Sequence, residues 1–295
     1  LAIAMQIGRK VILVGDHKQL PPQYDDEHIN KAVEKIGNIT SDELRRSDFE
    51  RSFLSNYGKL VGQRLSVQYR MAPAIGSLIS YCFYDSLLDT GRGEPINAIA
   101  SLPDKLGTTV TWLDTSPAAE KSFDRRPSGK NSNQHSFENE FEANVIIKLL
   151  EELSVSKNLN DFLLTGDSPQ IGVICMYKEQ VRLLRKKLQG IQWLRNLQDD
   201  GILKIDTVDS YQGKENSIII VSLVRNNHEL IQGFLKHESR ANVALSRAKE
   251  RLYIVGSTSM WNKKNINSPF GRVLSYIQNE PSSQCKVLNS NDLET

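Results

Sequence analysis

The stretch Ala241-Asn242-Val243-Ala244-Leu245-Ser246-Arg247-Ala248-Lys249 predicts a short helix that leads directly into a strand over 251–255. Small residues recur at positions i, i+3, i+4 and i+7 from Ala241, which makes one face for close packing. Arg240 and Arg247 are predicted to project on nearly the same side of the helix. A guanidinium held on a rigid helix suits a phosphate site. The alternative for this segment alone is a basic face on a surface helix.

Two other segments place charged side chains where a predicted strand ends. Val11–Val14 are four consecutive apolar residues, which predicts a strand buried on both faces, as in a parallel sheet. Gly15–Pro22 (GDHKQLPP) follows at the carboxyl end, where open α/β sheets bind ligands. Leu65–Pro73 (LSVQYRMAP) predicts a strand and then a helix that starts at its proline, with Arg70 at the junction. The alternative for Gly15–Pro22 is a polar turn, and the alternative for Arg70 is a structural arginine that forms a salt bridge at the junction.

Strands alternate with helices along the rest of the chain, which indicates a right-handed, mainly parallel α/β sheet. The predicted strands are 108–114, 171–175, 202–207 and 217–224, and the predicted helices are 29–36, 41–54, 73–87, 137–153, 177–188 and 270–277. Ser136 is predicted to cap the long helix that follows it. Thr115–His135 is predicted to be a mobile surface loop. Residues 1–7 are predicted to end a helix, and residues 281–295 to form a frayed tail.

Composition limits the classes of function. The chain has 295 residues and a formal net charge of +2, so nucleic-acid binding must come from local basic patches. Three widely spaced cysteines favour a reducing compartment and argue against a disulfide framework or a zinc site. The apolar runs are too short to span a bilayer. We therefore expect an intracellular protein with no bound metal and no membrane partner. Because the chain begins at Leu1, we also expect a fragment or a processed protein.

Four segments, taken in chain order, resemble motifs of superfamily-1 helicases. Gly15–Pro22 resembles motif III, and Gln68–Pro73 (QYRMAP) resembles the motif after it. Thr207–Glu215 (TVDSYQGKE) is similar to motif V, and Val243–Lys249 (VALSRAK) is similar to motif VI. The resemblance covers residues 1 to about 260 and is closest to the branch of the nonsense-mediated-decay helicases and senataxin. It implies a RecA-like α/β fold of the P-loop NTPase type, with a mainly parallel sheet flanked by helices.

The resemblance also implies a role for each matching residue. Gln19 would sense the γ-phosphate of ATP, and Arg70 and Arg247 would reach that phosphate from the second RecA-like domain. Gly213 would let backbone approach the phosphates, and Glu215 would bind the ribose. These roles agree with the chemistry, because the loose transition state of phosphoryl transfer needs positioning and positive charge more than covalent help.

The family likewise implies nucleic-acid and cofactor partners. Tyr177 and Thr207 would contact single-stranded RNA or DNA, and ATP with Mg²⁺ would serve the complete enzyme. Two local substitutions depart from the family. Ala72 stands where histidine is usual, and Cys175-Met176 precedes Tyr177 where Thr-Pro or Ser-Pro is usual.

Larger parts of the family pattern are absent from this sequence. It contains no G-x-x-x-x-G-K-[ST] motif and no Asp-Glu-Ala-Gln-type acidic motif, so the phosphate cradle, its lysine and the magnesium ligands are missing. In the family these elements precede motif III. We therefore expect residues 1–60 to be the tail of a first RecA-like domain and residues 61–280 to be the second. The N-terminal motor half would be a partner, and the chain alone would be inactive.

Three hypotheses for the function follow from the sequence. The first is a helicase motor domain that acts only with its other half. The second is a binding or scaffold module that kept the fold and lost turnover, although a scaffold has little need of paired phosphate arginines. The third is an unrelated α/β enzyme, which no G-x-S-x-G, G-x-G-x-x-G or H-E-x-x-H motif supports.

Overall fold

The structure is a computed structural model that describes residues 6, 8–22, 24–94, 102, 106–127, 136–154, 170–280 and 283–293. By its internal contacts the chain divides into two compact units, residues 1–65 and residues 66–295. The predicted helix end at 1–7 lies outside the described residues except for Gln6, and so does the second half of the predicted loop, 128–135. No helix in these described ranges is both long and apolar enough to cross a membrane.

Between residues 26 and 61 the smaller unit consists of short helices that follow one another along the chain. Its helices are α1 (Asp26–Ile36), α2 (Ser41–Arg45), α3 (Asp48–Leu54) and α4 (Asn56–Val61). Phe49 and Phe53 stack on one face of α3 with their ring centroids 5.9 Å apart. The predicted strand Val11–Val14 is wrong. The segment forms no ladder, and Ile12 and Val14 are 89% and 86% exposed. A strand buried on both faces needs neighbouring strands, and no described residue of this unit provides one.

The larger unit is built on a six-stranded parallel sheet, with a two-stranded parallel pair beside it. The pair is β1 (Val67–Gln68) and β2 (Asp89–Thr90), and the sheet contains β3 (Val110–Asp114), β4 (Ile171–Cys175), β5 (Leu203–Thr207), β6 (Asn216–Ser222), β7 (Ala248–Gly256) and β8 (Cys285–Asn289). The strand order is β5–β4–β6–β7–β3–β8, and every pairing is parallel. The predicted parallel α/β sheet is therefore confirmed.

Helices cover both faces of this sheet. They are α5 (Pro73–Phe83), α6 (Glu140–Ser154), α7 (Lys178–Leu188), α8 (Gln192–Asp199), α9 (Glu238–Leu245), α10 (Thr258–Trp261) and α11 (Pro269–Asn279). One face of the sheet forms a single buried cluster with α6, α7 and α8. Because side chains alternate along a strand, the other set of strand residues faces the opposite layer, where α5, α9 and α11 contact β7, β6 and β3. The central strands β4 and β6 are buried at every residue, which agrees with their largely apolar sequences.

Three sequence predictions differ from the structure in this unit. The predicted frayed tail is wrong over Cys285–Asn289, where β8 pairs with β3 over five residues and forms an edge of the sheet, while residues 281–282 and 294–295 lie outside the described residues. The predicted loop contains a 3₁₀ helix over Ser116–Ser122. The cap of α6 is Asn139 rather than Ser136, since the Glu142 N–H donates to Asn139 Oδ1 at 3.0 Å. Ser136 Oγ instead accepts the Glu179 N–H at 3.2 Å.

A buried carboxyl group supports a strained turn after β6. Val224 has a φ of 69°, which is unfavourable for a β-branched residue. Glu142 Oε2 accepts the Val224 N–H at 2.8 Å and the Ser222 hydroxyl at 2.7 Å, and Asn139 donates to the Val224 carbonyl at 3.0 Å. Burial is the largest influence on the pKa of Glu142 and raises it from 4.5 to about 8, against the effect of the hydrogen bonds from Val224 and Ser222.

This raised pKa predicts a pH dependence of stability. Between about pH 4.5 and pH 8 the folded protein holds a proton on Glu142 that the unfolded chain releases. The contribution of this group to the free energy of unfolding is therefore complete below pH 4.5 and is lost as the pH rises to 8. The side chain in Glu142→Gln is neutral at every pH, so this variant should lose that part of the dependence of stability on pH. Melting temperatures of both proteins from pH 4.5 to 8.5 test it. If the curves of melting temperature against pH run parallel for the two proteins, the assignment of the proton to Glu142 is contradicted.

Candidate phosphate and nucleic-acid sites

A cluster of charged side chains lies at the amino-terminal edge of β6 and β7. The two strands begin side by side at Asn216 and Ala248, so Glu215 and Arg247 immediately precede them. The loop between β1 and α5 brings Arg70 to the same edge, where the Ala72 N–H donates to the Lys249 carbonyl at 2.8 Å. The fold thus joins segments that resembled three separate motifs.

Arg70 contacts two of these segments directly. Its Nε donates to Glu215 Oε2 at 2.6 Å, and its Nη1 donates to the Ser246 carbonyl at 3.3 Å. Lys249 Nζ lies 3.6 Å from Glu215 Oε1. Burial raises the pKa of the Glu215 carboxyl, but Arg70 and Lys249 outweigh that effect and hold the pKa below its ordinary value. The Arg70 and Glu215 side chains are 37% and 42% exposed, so the pair contributes little stability and Arg70 is free to exchange its partner for another anion.

Arg247 lies in the same cluster but is 2% exposed. Its Nε donates to the Val243 carbonyl at 3.0 Å, its Nη1 to the Lys214 carbonyl at 3.3 Å, and its Nη2 to the Ser246 hydroxyl at 3.1 Å. The guanidinium therefore satisfies one backbone carbonyl near the end of α9 and one in the loop before β6.

The predicted common face for the two arginines around α9 is wrong. The helix ends at Leu245, so the helical spacing from Arg240 does not extend to Arg247. Arg240 lies near the opposite end of the helix, where its Nε is 3.4 Å from Asp209 Oδ1.

Gly213 precedes the cluster in a conformation that favours glycine. Its φ is 79°, and a Cβ there would meet nothing within 4 Å, so the requirement for glycine comes from the backbone and not from crowding. The turn brings Lys214 to the position where its carbonyl accepts a hydrogen bond from Arg247. The space around Gly213 is compatible with the predicted approach of a phosphate to the backbone.

Arg92 is a member of the cluster that sequence reasoning missed. Its Nη1 donates to the Arg70 carbonyl at 2.6 Å and to the Lys249 carbonyl at 3.0 Å, and its Nη2 pairs with the Glu250 carboxylate. Arg92 therefore holds the loop that carries Arg70 against the start of β7. The residue follows β2 in a segment with no motif, so no pattern in the sequence indicated it.

Gln19 belongs to the smaller unit. Its Nε2 donates to Asp16 Oδ2 at 3.0 Å, and its N–H donates to the Asp16 carbonyl at 3.3 Å. Asp16 Oδ1 also accepts the Lys18 N–H at 2.9 Å. The segment that resembled motif III is thus an ordered turn organised by Asp16.

The predicted nucleic-acid residues lie at the opposite, carboxyl-terminal edge of the sheet. Thr207 ends β5, and its hydroxyl donates to Ser210 Oγ at 3.2 Å on the surface. Tyr177 follows β4 but is 3% exposed. Its ring packs against Phe137 and Phe234, with centroids 5.4 and 5.6 Å away. A base therefore cannot stack on the Tyr177 ring in this structure, because aromatic partners far away in sequence bury it, and a contact of Tyr177 with nucleic acid stays a prediction.

The charge and fold of this unit define its class. Among the described residues no group of three or more His, Cys, Asp or Glu side chains could hold a metal ion. Arginine and lysine side chains converge at the edge of a parallel, helix-flanked sheet, and the sequence has no P-loop. This is a RecA-like domain of the P-loop NTPase class without its own phosphate cradle.

Comparison with known proteins agrees with this class. The family model AAA_12, described as an AAA domain, matches residues 44–259. The chain is 32% identical to the mouse DNA replication ATP-dependent helicase/nuclease DNA2 over 85% of its own length and 23% of that protein. It is 30% identical to the mouse 5'-3' DNA helicase ZGRF1 over 97% of its length and 13% of the relative. The chain thus belongs to the AAA_12 family, the C-terminal RecA-like domain of superfamily-1 helicases.

Two further likenesses complete the comparison. The yeast DNA polymerase alpha-associated DNA helicase A is 29% identical over 84% of this chain and 34% of its own length. A crystal structure of the C-terminal domain of a possible DNA helicase from Lactobacillus plantarum WCFS1 aligns with a TM-score of 0.34 and 14% identity, over 64% of this chain and 88% of that one. The chain spans about a third or less of the length of each of the three relatives.

Proposed function

We propose that this chain is the C-terminal motor domain of an ATP-dependent superfamily-1 DNA helicase, in which it supplies phosphate-sensing arginines and part of the nucleic-acid track. The observation that supports this proposal is the meeting of Arg70 and Arg247 around the segment Lys214–Glu215. The restriction to DNA rests on the relatives, whose names describe DNA helicases. Residues 1–60 would complete a first RecA-like domain, and residues 61–280 would form the second.

The residues of the cluster fit the phosphates of ATP. Arg70 and Lys249 are partly exposed cations that share one carboxylate, so both can turn to a phosphate group. Glu215 would then be released to accept a ribose hydroxyl, and Gly213 leaves the backbone accessible. Mg²⁺ and the phosphate cradle would come from the partner domain. Arginines delivered by a domain that opens and closes make hydrolysis depend on closure, as a motor requires.

The scaffold hypothesis has one observation in its favour. All three nitrogens of the Arg247 guanidinium donate to groups of this chain, as a structural arginine would. The Arg70–Glu215 pair argues against a purely structural cluster, because both side chains are partly exposed and the pair therefore adds little stability. We also propose an intracellular location, which the DNA helicase relatives and three free, buried cysteines support.

The nucleic-acid role predicts weak binding that is sensitive to salt. With a net charge of +2 and only local cations to contact phosphates, the chain alone should bind single-stranded DNA nearly independently of sequence. About three to five phosphate contacts would give a slope of roughly −2 to −3.5 in log K against log salt concentration. Fluorescence anisotropy of labelled oligonucleotides in 50 to 300 mM salt, roughly the range over which counterion release is seen, measures the slope.

Two oligonucleotides of the same length and different sequence provide the control for this measurement. Tight binding that resists added salt, or a strong preference for one sequence, would contradict the proposed track.

A further inference from the structure

The described part of the carboxyl-terminal sheet edge contains an exposed aromatic ring that lies outside the four motifs and has no predicted role. Phe234 lies in a 3₁₀ turn, Gly233–Lys236, and its side chain is 46% exposed. The Arg240 guanidinium lies over this ring, 5.1 Å from the centroid. Arg240 is in turn oriented by Asp209, at 3.4 Å. An aromatic ring and a guanidinium plane are the two protein surfaces on which single-stranded bases stack.

The surroundings hold Phe234 in a defined position. Tyr177 packs against the ring from within, and its hydroxyl accepts the Phe234 N–H at 3.3 Å. Gly233 has a φ of 59°, and a Cβ at that position would lie 2.3 Å from the Tyr177 hydroxyl oxygen, so the turn admits only glycine without a shift. An exposed ring on such a fixed support is preorganised for a ligand.

The turn also carries positive charge and nearby hydroxyl groups. Burial is the largest influence that lowers the pKa of His237, and the positive charges of Arg240 and Lys236 lower it further. Thr207 and Ser210, on the segment that contains Asp209, offer exposed hydroxyls that can contact a phosphate. Stacking surface, cations and hydroxyls together are what a sequence-tolerant single-strand site contains.

We propose that Phe234 and Arg240 form a stacking platform for a base of single-stranded nucleic acid, with Tyr177 as the buried support behind it. The proposal rests on the proposed function and deepens it by naming where the strand is held. Helix α9 connects the platform to the arginine cluster. Arg240 lies near the start of α9, and Arg247 follows the end of this helix at Leu245, so one short helix links the two sites.

The test compares binding of the 295-residue chain to labelled oligo(dT) and to a strand of equal length made of abasic sites. Phe234→Leu keeps an apolar side chain and removes the ring. It should weaken oligo(dT) binding about tenfold and leave abasic binding unchanged. Arg240→Gln should weaken both strands, because it removes a charge as well as a plane. Tyr81→Leu is the matched control, since Tyr81 is 59% exposed on α5 and also packs on another ring, that of Tyr276.

Each outcome decides the proposal. A selective loss with Phe234→Leu, at an unchanged melting temperature, supports the platform. Equal binding of oligo(dT) by wild type and Phe234→Leu overturns the platform while leaving the proposed function intact. Equal losses on both strands also overturn it, as does a loss as large with Tyr81→Leu. Failure of the wild-type chain to bind either strand at low salt would overturn both the platform and the proposed track.

Discussion

Replacing Arg247 by alanine is expected to lower ATP turnover by a factor of about 10³ to 10⁵ when this chain is joined to a RecA-like domain that carries a phosphate cradle. That loss corresponds to roughly 4 to 7 kcal/mol of transition-state stabilisation. Affinity for ATP should change much less, because most ground-state contacts would come from the cradle. Arg247→Lys should recover little activity, since a point charge cannot reproduce the planar fork.

The buried position of Arg247 makes a stability control essential. Its three hydrogen bonds to Val243, Lys214 and Ser246 would be lost in the alanine variant, at about 0.5 to 1.5 kcal/mol each. Melting temperature, ATP affinity and turnover should therefore be measured on the same protein. Arg70→Ala is the matched variant for the comparison of stability, because the partly exposed side chain of Arg70 can be removed with little effect on folding.

The two roles of Arg247 give different results in this comparison. A phosphate-contacting arginine predicts a large loss of turnover at a temperature where the variant is still folded. If turnover stays within about threefold of wild type, a change of well under 1 kcal/mol, while the melting temperature falls, Arg247 is only a structural cap of α9.

Local patterns were sufficient to predict the parts of the fold that depend on nearby residues. The apolar runs that became β4 and β6 identified a parallel sheet, and Pro73 located the start of α5 and hence the junction at Arg70. Val11–Val14 shows the limit of this reasoning. An apolar run becomes a strand only if neighbouring strands pair with it, and a pattern within the run does not report on them.

Side-chain environments were harder to predict, because partners distant in sequence determine them. Arg247 was expected to project from a helix, but carbonyl groups of α9 and of Lys214 enclose it. Arg92 contacts Glu250, and the two residues are separated by more than half of the sequence of the unit. Tyr177 and Phe234 are both aromatic residues in polar loops, and only the packing decides that the first is buried and the second exposed.

The chain by itself is expected to show no ATPase activity that nucleic acid stimulates. Its sequence has no phosphate cradle, no Walker lysine and no acidic motif to hold magnesium. The arginines of the cluster can stabilise charge on a phosphate, but positioning of the nucleotide and metal would have to come from another domain. This dependence on a second domain is the central claim about the protein, and it separates a motor domain from a self-sufficient enzyme.

Steady-state ATP hydrolysis by the purified chain, with and without single-stranded oligonucleotide, tests that claim most directly. The same assay on the chain joined behind a RecA-like domain with an intact Walker motif is the positive control. The chain alone should remain at the background rate under both conditions, and the joined protein should hydrolyse ATP faster when DNA is added. Stimulated turnover by the chain alone that persists through repurification would contradict the account.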